Sequence, residues 1–135
     1  MERIIVIVGM TEKNYSAHVN IGDGIAVATG KTFDELKKQM QEAVEFHLEG
    51  MREDGDEIPA EFDGKYELIY HFNPESLLQH YSGIFTNSAL ERLTGINQRQ
   101  IQRYASGMSK PRKPQAKKIE SALHSLGREL LAVEL

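Results

Sequence analysis

The chain has 135 residues, 40% of them apolar and 27% charged, with a formal net charge of −4; that length accommodates one domain or two very small ones. It contains no cysteine, which excludes disulfides, thiol nucleophiles and cysteine-ligated metals. Apolar runs are short, Ile4–Val8 for example, far below a membrane span or a signal-peptide core, so no membrane segment is expected and cytoplasmic residence is the default.

Arg3 to Val8 is a β-branched run that predicts a first strand buried on both faces. Thr11-Glu12-Lys13-Asn14 predicts a turn. Tyr15 to Ile21 alternates, with Tyr15, Ala17, Val19 and Ile21 on one face, as a second strand would. Gly22-Asp23-Gly24 turns the chain, and Ile25 to Thr29 makes a short third strand. Thr32-Phe33-Asp34-Glu35 then has the T-x-x-E form of a capping box. Behind it Phe33, Leu36, Met40, Ala43, Val44, Leu48 and Met51 recur at helical spacing, predicting the longest helix, with Gly55 as its stop. Lys65 to Phe72 alternates again and predicts a fourth strand. Residues 1–72 therefore read β-β-β-α-β, a sheet with one helix laid across it.

The boundary falls at Phe72–Asn73, and residues 73–135 read as all-α. Asn73-Pro74-Glu75 opens a helix with a cap, a proline in the first turn and an acid near the positive helix end. Leu77, Leu78, Tyr81, Ile84 and Phe85 form its inward stripe. A short helix follows with Leu90 and Leu93 on one face, a tight turn at Gly95, and a second short helix closed by Gly107. Asn97 is the expected N-cap of that second helix, with Gln100 three residues on in capping-box position. Its large apolar residues, Ile101 and Tyr104, lie one turn apart and face inward. Gln98, Arg99, Gln100, Gln102 and Arg103 carry long donor-bearing side chains, the chemistry that reads base edges in the major groove. After the basic loop Lys110–Lys113, Pro114 predicts a last helix ended by Gly127.

The frame Asn87 … Gly95-Ile96 … Ile101 … Arg103-Tyr104 … Gly107, with the basic loop and a further helix behind it, resembles the helix-turn-helix of phage-repressor and Cro-like regulators. Glu91 stands four residues before the turn glycine, where that family usually carries a small residue. Gln98, Arg99, Gln102 and Arg103 are the candidates for base edges, with Asn97 at the entry. Asn87, Lys110, Arg112 and Lys113 are the candidates for phosphates. Modules of this size usually bind DNA as symmetric pairs, so a homodimer or higher homo-oligomer is expected.

The first half resembles the HicB antitoxin family through Tyr15–Ile21, the G-x-T-x-x-E-L entry Gly30-Lys31-Thr32-Phe33-Asp34-Glu35-Leu36, the run Gln41–Glu49 and Ile58-Pro59. It departs at Asn20 to Ala28, where many members carry an aromatic-Pro-Asp-Leu-Pro-Gly segment. The resemblance implies a truncated RNase-H-like N-terminal domain that silences a HicA-like toxin, a small basic RNA-cleaving protein. It also implies a C-terminal domain that binds operator DNA and represses the antitoxin's own operon. An alternative is a stand-alone regulator whose N-terminal domain senses a ligand or dimerises.

Charge divides along the same boundary. Residues 1–72 hold 15 acidic and 7 basic side chains, a balance of −8, and residues 73–135 hold 5 and 9, a balance of +4. A basic half suits nucleic acid and an acidic half suits a basic protein. Glu42, Glu45 and Glu49 are either a solvated helix face or part of a docking patch. Asp34 and Glu35 are explained by capping and the helix dipole, and the histidines at 18, 47, 71, 80 and 124 lack metal-ligand spacing. Neither catalysis nor a metal or other cofactor is expected.

Overall fold

Strand β1 (Glu2–Met10) turns Ile4, Val6 and Val8 inward in the computed structural model, which describes residues 1–11 and 13–135. Ile5 and Ile7 are 48% and 43% exposed, so the strand is buried on one face and not on both as its sequence predicts. A β-branched run signals strand propensity, and burial depends on what covers each face. Of the expected turn at residues 11–14, Glu12 lies outside the described residues.

Strands β2 (Tyr15–Ile21) and β3 (Gly24–Gly30) continue antiparallel, and β4 (Tyr66–Phe72) joins the far side of β1 in parallel. The order is β3-β2-β1-β4, a mixed four-stranded sheet. Helix α1 (Phe33–Glu53) covers one face and buries Leu36, Met40, Val44 and Leu48, one residue per turn. Each such burial stabilises by roughly 1.5–3 kcal/mol relative to exposure, so this stripe, more than helix propensity, holds α1 on the sheet. Beneath it the strands present small side chains, Ala17 opposite Ala28 and Val19 opposite Ala26. Phe62, from a single 3-10 turn at Ala60–Phe62, fills the remaining core.

Both ends of α1 follow from local chemistry. Thr32 Oγ1 accepts the Glu35 N–H at 3.1 Å, and Glu35 Oε2 accepts the Lys31 N–H at 3.2 Å. Gly30 is required just before this cap, because a Cβ there would sit 2.7 Å from the Leu36 backbone nitrogen. At the other end Gly55 has φ 75°, and the N–H groups of Gly55 and Asp56 donate to the Arg52 and Met51 carbonyls. That is a Schellman stop.

Met1–Asn73 forms one compact unit and Pro74–Leu135 a second. The second contains α2 (Pro74–His80), α3 (Asn87–Thr94), α4 (Gln98–Ser106) and α5 (Lys113–Leu131) around Leu78, Leu90, Ile96, Ile101, Tyr104 and Ile119. The class is therefore α+β, with five helices among the described residues, none long and apolar enough to cross a membrane.

Three expectations for this unit change. Helix α2 ends at His80, so Ile84 falls in the following turn and is 71% exposed instead of joining the inward stripe. Leu93 sits at the rim while Leu90, on the same helix, is buried. Helix α5 starts at Lys113, one residue before Pro114, and runs through Gly127 to Leu131. The residues after Gly127, Arg-Glu-Leu-Leu-Ala, are strong helix formers, and they outweigh the penalty of about 1 kcal/mol for an interior glycine. In α2, burial pushes the His80 imidazole below its ordinary pKa.

Candidate nucleic-acid interface

The sequence from Thr86 to Gly107 folds as two short helices joined by only three residues, Gly95-Ile96-Asn97. Thr86 starts α3 by accepting the Ala89 N–H on Oγ1 at 3.0 Å. Gly95 ends it in the left-handed region, φ 77°, which an L side chain adopts only with strain. Thr94 ties the turn down from inside. Its Oγ1 donates to the Leu90 carbonyl at 2.6 Å and accepts the Ile96 N–H at 3.1 Å. Ile96 is buried and anchors the turn to the core.

Helix α4 begins with Asn97, whose Oδ1 accepts the Arg99 N–H at 2.8 Å. The capping-box partner expected at Gln100 is not used that way. Gln100 is half-buried, and its amide donates to Ser109 Oγ at 3.4 Å, fastening α4 to the loop beyond it. The short Asn side chain reaches the second helical N–H instead of the third, and a different residue serves the first. Glu91, from α3, accepts the Gln98 N–H on Oε2 at 2.6 Å. Glu91 stands out in the sequence only as a departure from small residues at the turn. Its capping role spans seven positions and depends on the bend between the helices, so no local pattern announces it.

Ile101 and Tyr104 face the core, while Gln98, Arg99, Gln102 and Arg103 all lie exposed. Asn87, in the first turn of α3, donates from Nδ2 to Gln102 Oε1 at 3.4 Å. Asn87, Glu91, Asn97, Gln98, Arg99 and Gln102 together line one open groove. Lys110, Arg112 and Lys113 are exposed at the start of α5. Of the predicted site residues, the structure thus gathers Asn87, Asn97, Gln98, Arg99 and Gln102 at that groove. Arg103 lies further along α4, and the three loop cations form a separate cluster by sequence.

The electrostatics of the helix ends are uneven. The first turns of α1 and α2 carry Asp34, Glu35 and Glu75, which offset the positive end of the helix dipole. The first turns of α3, α4 and α5 contain no acid, and α5 begins without a side-chain cap on Arg112 and Lys113. Among the described residues none of Arg99, Arg103, Lys110, Arg112 and Lys113 forms an ion pair. Of these three helices, α4 has its first N–H taken by the Glu91 carboxylate, whereas the uncapped start of α5, beside the unpaired Lys110, Arg112 and Lys113, is suited to an anion, phosphate in particular. Among the described residues no three His, Asp or Glu side chains are grouped to hold a metal ion. No protein-family model, curated protein or solved structure matches the chain.

Proposed function

We propose that the chain is a DNA-binding antitoxin and autorepressor, with residues 74–135 acting as a helix-turn-helix module. The observation that carries the DNA reading is the surface of α4. Ile101 and Tyr104 are buried, and Gln98, Arg99, Gln102 and Arg103 are exposed on a helix held by a three-residue turn, neither arginine forming an ion pair among the described residues. Glutamine pairs bidentately with adenine and arginine with guanine, and α4 presents four such side chains within nine residues. Asn87, Lys110, Arg112 and Lys113 serve as phosphate contacts around it.

The β-β-β-α-β succession and the acidic balance of the first unit support its assignment as a truncated RNase-H-like domain of the HicB kind. On that reading it binds and silences a small basic RNA-cleaving protein, and the second unit represses the operon that encodes both. Selection of bound duplexes from a random pool by the full chain tests the DNA half. A palindromic consensus with half-sites about one helical turn apart is the expected result. Recovery of unenriched sequence would refute it.

A further inference from the structure

The two edges of the sheet are built differently. Strand β4 carries Glu67 and His71 and follows Lys65, the kind of charged residue that discourages another strand from pairing. Strand β3 reads Gly-Ile-Ala-Val-Ala-Thr-Gly, seven residues with no charge and no proline. It pairs with β2 in unbroken register from Gly24 to Gly30, so no bulge twists it away. On its outer side alternate N–H and C=O groups point away from the sheet, as in any antiparallel edge strand.

What borders this edge is equally unprotected. Val27 is 64% exposed, and Ile25 beside it is exposed as well. On the opposite face of the sheet, α1 holds Phe46 79% exposed, an aromatic ring on a helix with nothing over it. Between β3 and α1 runs an open groove lined by Val27, Thr29, Glu35, Gln39, Glu42 and Phe46, with no cation among the described residues that line it.

We propose that β3 is the docking edge of the first unit, and that an extended segment of a basic protein adds to it as a fifth strand. This rests on the reading of that unit as partner-binding and says where and how the partner is held. Alternation along the added strand sets its chemistry. Side chains on the helix side meet Glu35 and Glu42 and are Lys or Arg, with an apolar contact at Phe46. Side chains on the other face lie beside Ile25 and Val27 and are apolar. A second copy of this chain fits the backbone equally but not the charge. Antiparallel pairing of two β3 edges sets both α1 helices side by side on one face and turns the Glu35 and Glu42 of each toward the other. Like charges so placed oppose association, and a basic strand neutralises them.

The test is an NMR titration of the full chain with two synthetic heptapeptides, Val-Lys-Val-Lys-Val-Lys-Val and Val-Glu-Val-Glu-Val-Glu-Val, both blocked at their ends. The basic peptide is expected to slow hydrogen exchange at alternate β3 amides and to shift Val27 and Phe46. Glu42→Gln should weaken it several-fold and Val27→Lys more, with the α1 resonances otherwise unmoved. Equal binding of the acidic peptide, or shifts confined to α1 without β3 protection, would overturn the proposal. So would concentration-dependent self-association of the native chain that Val27→Lys abolishes, which would assign the edge to a second copy. Whether a small basic protein co-purifies with the chain from its own host judges the partner reading separately, and either result leaves the titration informative.

Discussion

Replacing Glu91 by alanine separates two accounts of the α3–α4 turn. If the position only needs a small residue for close helix approach, Glu91→Ala is neutral or mildly stabilising, since alanine is also the better helix former. The structure argues the reverse, because the Glu91 carboxylate supplies the acceptor for the first N–H of α4 at 2.6 Å. Loss of a side-chain cap typically costs about 0.5–2 kcal/mol. Glu91 is half-buried, so solvent replaces part of the bond, and the gain in helix propensity returns a few tenths. The net expected loss is roughly 1 kcal/mol. Glu91→Gln keeps an acceptor and gives up only the charge, worth about 0.3–1 kcal/mol at an exposed helix end, so it should fall between the two. Amide hydrogen exchange in the full chain reads this locally, because the sheet of the first unit serves as internal control. About 1 kcal/mol corresponds to exchange near the start of α4 roughly 5-fold faster in Glu91→Ala. Unchanged exchange at Gln98 and Arg99 would refute the capping role.

Three further outcomes follow from particular contacts. Gly30→Ala places a Cβ 2.7 Å from the Leu36 nitrogen and 3.0 Å from its Cα; backbone cannot yield as a side chain can, so denaturant unfolding should report a loss of about 1–3 kcal/mol. Gly127→Ala meets open space within a continuing helix, and should raise helicity and stabilise α5 by about 0.4–1 kcal/mol; destabilisation would mean that the helix stops there. The His80 pKa is lowered by burial, so the folded chain binds this proton less readily than the unfolded one. Stability present above about pH 6.5 should therefore decline as pH falls through the folded pKa, and His80→Gln should flatten that part of a pH-dependent melt.

Where several local signals agree, the sequence predicts the structure closely. The Thr32–Glu35 cap, the apolar spacing from Phe33 to Met51 and the stop at Gly55 all indicate one helix, and α1 spans Phe33–Glu53. The strands from Tyr15 to Ile21 and from Tyr66 to Phe72 are equally legible, because one face of each meets the core and alternation records it. Legibility fails where a residue's role depends on something distant. Ile5 and Ile7 look buried until it is known that α1 covers one face only. Gly127 resembles a stop because glycine ends many helices, yet its φ is not in the left-handed region. Gln100 has the spacing of a capping partner but bonds Ser109, nine residues on. Glu91 serves a helix that begins beyond the next turn. In the candidate interface, the apolar pair Ile101 and Tyr104 reveals which side of α4 faces outward. The absence of both an acid and a side-chain cap at the start of α5 becomes meaningful only once that helix start is known.

The central claim is that α4 reads base edges while the basic segment 110–113, which leads into α5, holds phosphates. An anisotropy titration of the full chain on its selected duplex and on a scrambled one, across a salt series, tests it most directly. Arg99→Ala is expected to cost about 1–3 kcal/mol on the selected duplex and little on the scrambled one. Lys113→Ala should weaken both duplexes alike and reduce the salt slope by about 1. Equal affinity of the native chain for the two duplexes, or indifference of binding to both substitutions, would contradict the claim.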